Sequence, residues 1–500
     1  MQLQLVKTYF ATDLGVRSVD DGLALVLANG SAQLLYSEAE LNVAKSLSLG
    51  AIGAPGSGYV SNQSLVAQVS VANLQPGSSM AFQTSGSTIR AFLFDAHGGN
   101  LTSAVISASG VPGNATTVTT SVGALAGVET FAIMGGASGD CAVLSQWNKA
   151  GLQVFHLAGD GSLVYENVIQ DSAKSYLGNI SDTASVSIAG RDYLLTLSSL
   201  ENGITSFQMA GDDSMALVDS LGPHDMFAVS GPAALQVLEL EGVTYAVVAS
   251  TGSSSLTVVR VNDLGCLFQT DHVIDDLTTR FEHPEVLDSF TLQGREFVVS
   301  AGTDAGVSVM ELLPGGTLSP FFTVALETGA GLYDVTGLEV AVNGMVLDIY
   351  VVDARADRIQ KFEMSLANLG GCIHATGSST TGTTKDDLIM GTAANETLQG
   401  GAGDDWLFTG GGTDALTGGT GLDVFVFDAS ATSGRITDYE LHHDRIDLSD
   451  WGNIYDVGAL QITATASGAI LKFGSHQLAL TAADGHSLSA ASFAQSDFLF

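Results

Sequence analysis

Five acidic side chains recur at nine-residue intervals in the C-terminal part of the chain. They are Asp387, Glu396, Asp405, Asp414 and Asp423. Carboxylate oxygens are hard donors that suit Ca²⁺, and the glycines before each acid can leave backbone carbonyls free to complete a coordination shell. The types and the spacing of these residues therefore predict calcium binding by acids that are held in register.

Holding the acids in register requires a repeated turn and strand. We predict that the first six residues of each unit form a tight turn and that the last three form a short strand. The eighth place of each unit is a large apolar residue, which we expect to point inward: Ile389, Leu398, Leu407, Leu416 and Phe425. A flexible linker rich in glycine and aspartate would explain the composition but not these two series in phase. The units are GTTKDDLIM (382–390), GTAANETLQ (391–399), GGAGDDWLF (400–408), TGGGTDALT (409–417) and GGTGLDVFV (418–426).

Two units complete one coil of a parallel β-roll, so turns two units apart should stack and share an ion. The most regular pair contributes Asp405 and Asp423. Less regular pairs join Asp387 with Asp405 and Glu396 with Asp414, because Lys385 and Ala394 replace the fourth-place glycine in these units. Glycines at the first, second and fourth places are expected to permit backbone angles that a Cβ would obstruct. The predicted metal ligands, with backbone donors included, are Asp387, Glu396, Gly400, Ala402, Asp405, Asp414, Gly419, Gly421 and Asp423.

The segment after the repeats carries a family resemblance. It reads DVFVFDASATSGRITDYELHHDRIDLSDWG (423–452), and the final residues place Asp497 before Phe498, Leu499 and Phe500. Together with the repeats, residues 382–500 resemble the RTX family of bacterial exoproteins. The resemblance implies Ca²⁺ as a cofactor, a type I secretion channel as a partner and an uncleaved C-terminal signal. It implies a secreted or cell-surface protein but no particular activity.

Composition and charge agree with that location. Fifty-three acids against seventeen lysines and arginines give a net charge of −36 and an isoelectric point near 4.2. Such a chain should repel nucleic acid and anionic membranes and attract divalent cations. The start of the chain lacks the basic and apolar regions of a cleaved signal peptide, and no apolar run approaches the ~20 residues of a membrane span. We therefore expect no nucleic-acid partner and no transmembrane segment.

Two other groups that could bind metals have plainer interpretations. The three cysteines Cys141, Cys266 and Cys372 cannot all pair within one chain, and we expect buried free thiols rather than a disulfide framework. The neighbours His442 and His443 should point to opposite faces if they lie on a strand, so we expect solvated residues rather than a metal pair.

The first 370 residues have a looser repeat of about 50 residues, with four short strands in each. This pattern is typical of a β-propeller, here with about seven blades, while six or eight remain alternatives. The last unit lacks a fourth strand, which LQLVKTYFATD near the start of the chain could supply. The repeats also resemble lactonase and quinoprotein-like propellers, in architecture alone. The glycines that mark the repeat are Gly22, Gly77, Gly127, Gly190, Gly242, Gly294 and Gly344.

The fold class predicted from these patterns is all-β, a propeller followed by a short calcium-binding roll and a β-rich cap. The predicted division is a propeller at 1–374, a linker at 375–381, the roll at 382–428, and the cap with a secretion signal at 429–500.

Polar residues in the loops that enter the innermost strands of the propeller are candidates for a site at the mouth of its channel. Histidines and carboxylates could bind a metal there or perform acid–base chemistry. The same residue types are ordinary in turns, where Asp satisfies free N–H groups, and no catalytic spacing accompanies them. The candidates are His224, Asp225, Glu282, His283, Asp182 and Asp334.

Two functions remain open from the sequence, because a propeller does not determine an activity. The first is a secreted, non-catalytic protein of the cell surface or matrix. Its propeller would bind a glycan, a protein or another copy of the chain. The alternative is a secreted lactonase, lyase or phosphoester hydrolase with a site at the mouth of the propeller.

Overall fold

The computed structural model is built almost entirely of β-strands. It describes residues 3–10, 19–28, 31–38, 43–51, 69–71, 78–85, 88–95, 100–107, 112–123, 125–136, 139–211, 214–304, 306–325, 335–356 and 358–500. The predicted all-β class, with a propeller before a parallel roll, is confirmed. Helical structure in the described ranges consists of short 3₁₀ turns: Pro223–Asp225, Ala354–Ala356, Ser449–Trp451, Val457–Ala459, Ala490–Ser492 and Gln495–Asp497.

The chain forms two compact units. One comprises Met1–Thr291 with Glu296–Ser365, and the other comprises Leu292–Arg295 with Leu366–Phe500.

Six sheets of the first unit each contain four consecutive strands. In five of them the strands pair in chain order, and in the first the order is β4-β3-β2-β5. The strands are β2 (Val19–Ala28), β3 (Ser31–Glu38), β4 (Val43–Ala51), β5 (Val69–Val71), β6 (Ser78–Ser85), β7 (Thr88–Asp95), β8 (Thr102–Ile106), β9 (Thr116–Thr117), β10 (Val128–Gly136), β11 (Gly139–Gln146), β12 (Leu152–Leu157), β13 (Leu163–Ile169), β14 (Ile180–Ile188), β15 (Arg191–Ser198), β16 (Gly203–Met209), β17 (Met215–Leu221), β18 (Pro232–Leu240), β19 (Val243–Ser250), β20 (Ser255–Val261), β21 (Leu267–Ile274), β22 (Val286–Leu292), β23 (Arg295–Ala301), β24 (Gly306–Leu313) and β25 (Thr317–Ala325).

One further four-stranded sheet joins distant parts of the chain. It contains β26 (Val335–Asn343), β27 (Val346–Asp353), β28 (Arg358–Ser365) and β1 (Leu3–Phe10), with β1 antiparallel to β28. This is the strand that the sequence predicts for completing the last blade. Strand β2 contacts both β26 and β6, and β10 contacts both β6 and β14, so the innermost strands follow one another from blade to blade.

The core of the propeller lies between the blades. Strand β15 is buried along most of its length, because a neighbouring sheet covers each of its faces. Leu194 packs with Met134 toward one neighbouring blade, whereas the adjacent Leu195 packs with Leu235 toward the other. The outer strand β13 is mostly exposed. This layering explains why middle strands read as continuous apolar runs and outer strands as mixed ones.

The second unit consists of two facing sheets. The first has six parallel strands: β29 (Leu369–His374), β31 (Asp386–Met390), β33 (Trp406–Phe408), β35 (Val424–Val426), β37 (Arg445–Asp447) and β41 (Phe498–Leu499). The second has the parallel strands β30 (Ser379–Thr381), β32 (Thr397–Ala402), β34 (Thr413–Thr420), β36 (Ser433–Tyr439) and β40 (His476–Ala482), followed by the antiparallel β39 (Gly468–Phe473) and β38 (Gln461–Thr465).

The eighth-place residues form the centre of this unit. Each of the five is fully buried, and together with residues of the cap, such as Leu478 and Phe498, they make one hydrophobic cluster. The roll and the cap therefore share a single core.

The roll begins earlier than the sequence predicts. Strand β29 lies in the predicted propeller and β30 in the predicted linker, yet both are first strands of the roll sheets. In β29, Ile373 pairs with the eighth-place Ile389 and packs against the roll core, but it precedes Ile389 by 16 residues and not 18, so the nonapeptide period does not reveal it.

Candidate metal centre

The acids of one edge of the roll form a continuous hydrogen-bonded column. The backbone N–H of Asp387 donates to Asp405 Oδ1 at 2.8 Å, and that of Asp405 donates to Asp423 Oδ1 at 3.0 Å. Asp423 in turn donates to Asp444 Oδ1 at 3.2 Å. The predicted stacking of acids two units apart is therefore present, and Asp444 extends the column beyond the repeats.

Sequence reasoning missed Asp444 because its coil contains extra residues. Asp444 follows Asp423 after 21 residues, whereas the regular acids are separated by 18. The signal that remains is local: Asp444 is followed two residues later by Ile446, which is fully buried in the roll core. An acid followed by an inward apolar residue is the part of the repeat that survives.

The opposite edge holds a shorter column. The N–H of Glu396 donates to Asp414 Oδ1 at 2.7 Å. In the next coil Gly434 stands opposite Asp414, so this column has two acids.

A parallel ladder of hydrogen bonds at the fifth place of the repeat was not predicted. Asp404 N donates to Asp386 Oδ1 at 3.0 Å, and Leu422 N donates to Asp404 Oδ1 at 2.8 Å.

Glycines keep the space between stacked turns open in two ways. At the second and fourth places the backbone is left-handed, with φ of 121° at Gly401 and 117° at Gly403. A Cβ at Gly419 would also overlap the carbonyl oxygen of Gly401. These positions need glycine for both conformation and space.

The first-place glycines act differently from the expectation. Gly400 is outside the left-handed region, so its backbone angle does not demand glycine. A Cβ at Gly400 would instead overlap the Asp405 carboxylate and the carbonyl oxygen of Gly418. The first-place glycine is therefore required by space, and it keeps open a gap that oxygen atoms line.

The electrostatics of this gap favour a cation. Burial raises the pKa of Asp405 to about 7 and that of Asp423 to about 8, and neighbouring carboxylates contribute to the rise in both. Burial likewise raises the pKa of Asp414 and of Asp444 to about 6. Oδ2 of Asp405 and Oδ2 of Asp414 are buried with no hydrogen-bond donor. Unpartnered carboxylate oxygens beside backbone carbonyls are a donor set that fits Ca²⁺.

The predicted metal ligands divide between the two edges of the roll. Glu396 and Asp414 lie on the opposite edge, which we call the second edge. The others lie in turns of the first edge, which carries the column from Asp387 to Asp444. The stacked pair Asp405 and Asp423 has the most regular surroundings. Both turns have glycine at the first, second and fourth places, and their third places are Ala402 and Thr420.

Asp182 of the propeller is buried and not exposed, as a residue at the mouth of the channel would be. Its carboxylate accepts hydrogen bonds from Thr183 N at 2.6 Å and from Leu235 N of the next blade at 2.7 Å. Burial raises its pKa to about 8, although the two N–H donors oppose the shift. These bonds give Asp182 a structural role, since they join neighbouring innermost strands.

Asp288 repeats this arrangement two blades later and was not predicted. It accepts from Ser289 N and from Val340 N, both at 2.7 Å, and burial raises its pKa to about 7. The sequence signal is slight: each of these acids precedes a hydroxyl residue within an innermost strand.

The other residues predicted for a site at the mouth of the channel form two separate pairs. His224 and Asp225 are exposed in a 3₁₀ turn, where Asp225 accepts from Gly222 N at 3.1 Å. Glu282 and His283 are also exposed, with Oε1 and Nδ1 3.9 Å apart. Within the described ranges, no hydrogen bond or ion pair joins one pair to the other. Asp334 lies outside the described residues.

The remaining groups have the following positions. His442 Nδ1 lies 3.0 Å from Asp497 Oδ1, whereas His443 Nδ1 lies 3.3 Å from the carbonyl oxygen of Gly421, so the two rings contact different partners. The three cysteines form no disulfide with one another; Cys141 is buried and the others are half-buried. Among the described residues, no helix has the length and apolarity needed to span a membrane.

Comparison with known proteins identifies the repeats. Residues 381–425 match the RTX calcium-binding nonapeptide repeat family, whose description comprises four copies of the repeat. The match supports calcium as the ion of the roll. A search of curated sequences finds no match to the chain.

Solved structures similar to the chain cover about two thirds of it. A protein from Lactobacillus plantarum is 14% identical and covers 68% of this chain and 96% of its own, with a TM-score of 0.41. A proposed 6-phosphogluconolactonase from Bacteroides uniformis is 17% identical and covers 68% of this chain and 95% of its own, with a TM-score of 0.39. A third, from Bacteroides fragilis, is 16% identical, covers 69% of this chain and 96% of its own, and has a TM-score of 0.36.

Proposed function

We propose that the chain is a secreted, non-catalytic calcium-binding protein of the cell surface or matrix. In this proposal the roll becomes ordered when it binds Ca²⁺ outside the cell, and the propeller binds a glycan, a protein or another copy of the chain. The observation that carries the calcium part is the pair of buried, unpartnered oxygens of Asp405 and Asp414 within repeats that match the RTX family.

The principal ion lies between the turns that contain Asp405 and Asp423. The two carboxylates and the carbonyls of the intervening glycines supply the oxygen donors. Calcium would neutralise charge that the protein alone leaves uncompensated. The extracellular concentration of calcium, on the order of 10⁻³ M, is within the range that extracellular calcium modules use.

A calcium titration of the full chain tests this binding. Trp406 lies beside Asp405 in the roll, so its fluorescence should change on ordering, with a midpoint between micromolar and millimolar calcium. Magnesium is the control ion, because it demands a smaller octahedral shell. Absence of any calcium-dependent change, together with no retained calcium after dialysis, would exclude the proposal.

Export through a type I channel is a separate part of the proposal, and the match to RTX repeats supports it. The test compares a bacterial host that has such a channel with one that lacks it. The full chain should accumulate in the medium or on the surface of the first host only. Equal amounts outside both hosts would contradict this route.

The alternative enzyme at the mouth of the propeller has less support. It would need the His224–Asp225 pair and the Glu282–His283 pair to act on one substrate, and no described contact unites them. Hydrolysis of lactone or phosphoester substrates, abolished by His283→Gln, would favour the enzyme instead.

A further inference from the structure

The residue at the second place divides the turns of the roll into two types. Thr383 and Thr392 occupy this place in the first two units, and Gly401, Gly410 and Gly419 occupy it in the other three. The two types treat the sixth-place acid differently.

In the threonine turns, the acid is bonded within its own turn. Thr383 N and Thr383 Oγ1 both donate to Asp387 Oδ2, at 2.5 Å and 2.7 Å. Thr392 N donates to Glu396 Oε2 at 2.8 Å, and Thr392 Oγ1 donates to the other oxygen. Each carboxylate thus has two donors on the side where a cation would bind.

In the first two glycine turns, the equivalent oxygens have no such donors. Asp405 is 0% exposed and Asp414 is 2% exposed, yet Oδ2 of each lacks a hydrogen-bond partner. Gly401 and Gly410 have left-handed backbones, with φ of 121° and 68°, and glycine has no hydroxyl to donate. In the Asp414 turn, Thr409 Oγ1 is a further buried oxygen without a partner.

We propose that Thr383 and Thr392 replace calcium in their own turns, so that the ions bind where Asp405 and Asp414 present unpartnered oxygens. Hydrogen bonds to a charged acceptor are among the stronger ones in proteins, and two of them per carboxylate can stabilise its charge. An unpartnered buried carboxylate instead needs a cation or a proton. This inference rests on calcium binding by the roll and states which turns take the ions.

It also places an ion on each edge of the roll. Asp405 belongs to the first edge and Asp414 to the second. The second-edge ion is assigned to the gap that follows Asp414, where the next turn places Ser430 Oγ within 2.7 Å of where a Cβ on Gly411 would lie, rather than to the gap that follows Glu396.

Counting bound calcium in four matched variants of the full chain tests the assignment. Equilibrium dialysis at saturating calcium should show that Asp405→Asn and Asp414→Asn each lose one ion relative to the parent. Asp387→Asn and Glu396→Gln should retain the parental number, because their carboxylates are bonded by threonine. Loss of an ion from Asp387→Asn or Glu396→Gln, as from Asp405→Asn, would overturn the inference. A parent that binds no calcium would instead refute the proposed function.

A second set of variants addresses the threonines themselves and does not depend on removing an acid. The double change Thr383→Gly with Thr392→Gly should raise the calcium midpoint for folding of the roll by roughly tenfold or more, because each change removes a hydroxyl hydrogen bond to a charged carboxylate. Thr383→Ser with Thr392→Ser, which retains both hydroxyls, should keep the parental midpoint. Thr384→Gly is the control for backbone freedom, since Thr384 is exposed in the same turn. Equal shifts for Thr384→Gly and the double glycine variant would also overturn the inference.

Discussion

Buried aspartates occur in both units of the molecule, but they are stabilised by different means. Asp182 and Asp288 of the propeller each accept two backbone N–H groups, one of them from the next blade. Asp405 and Asp414 of the roll each accept one N–H and keep one bare oxygen. The propeller therefore supplies N–H donors for its buried carboxylates, whereas the roll leaves carboxylate oxygens that an ion can bind.

The largest expected effect is the selective response of the roll to loss of calcium. Chelation at neutral pH should make residues 366–500 sensitive to protease, while the described strands of the propeller stay resistant. Stacked acids without an ion repel one another, and the propeller acids are already bonded. Limited proteolysis with mass spectrometry gives the measurement, and magnesium-only buffer is the control. Equal sensitivity of both units would remove the distinction between them.

Removal of Asp182 should have the converse selectivity. Asp182→Ala leaves two buried N–H groups without an acceptor and should destabilise the propeller by about 2–4 kcal/mol. The calcium midpoint of the roll should not change. Urea unfolding of the propeller gives the first quantity, and a fluorescence titration gives the second. Glu166→Ala, at an exposed acid on an outer strand of the same unit, is the matched control and should alter neither.

Neutralising Asp405 should have opposite effects with and without the ion. Asp405→Asn removes a buried charge, so the calcium-free roll should retain more ordered structure than the parent, by roughly 1 kcal/mol. The same change removes a ligand, so the calcium midpoint should rise by about tenfold. Near-ultraviolet circular dichroism measures both. Asp484→Asn, at an exposed acid of the cap, should change neither; a calcium midpoint unaffected by Asp405→Asn would contradict the site.

Acidity should replace calcium in part. The folded-state pKa values of Asp405 and Asp423 are raised, to about 7 and about 8, above the ordinary aspartate value. Because the folded state holds these protons more tightly, they stabilise the calcium-free roll at low pH, and this stabilisation is lost as the pH rises through 7 to 8. With calcium saturating, the ionised form binds the metal, so acidification should weaken the roll instead. Calcium-free samples compared between pH 8 and pH 5 test the sign, and a roll that loses order on acidification in both conditions would contradict it.

The sequence predicts the roll better than the propeller because the information in the roll is local. Each nonapeptide carries its own turn, acid and core residue, so Leu407 and Asp405 can be placed from neighbours alone. The contacts of Asp182 join residues about fifty positions apart, and no local pattern identifies Leu235 N as the donor. Even the pairing of β1 with the last blade follows only from counting strands.

The candidate site shows the same limit on a smaller scale. The series of acids predicts which carboxylates stack, and the structure places them so. The series does not predict which carboxylates are already bonded, because that depends on whether a threonine such as Thr383 or a glycine such as Gly401 stands four residues earlier. Asp444 was missed because an insertion breaks the period, although three-dimensional stacking tolerates the extra residues.

Strand β1 has a consequence for the order in which the propeller can form. Its partner β28 lies about 350 residues along the chain, with Leu3 opposite Met364. Closing a loop of this length is entropically costly and slow, and contacts at such separation raise the contact order of the fold. The ring must therefore wait for its last blade before the first strand can be fixed. Once the ring is closed, a single blade can unfold only if this long-range pairing or the contacts with both neighbouring blades are broken. Closure of the ring should therefore slow unfolding more than it speeds folding.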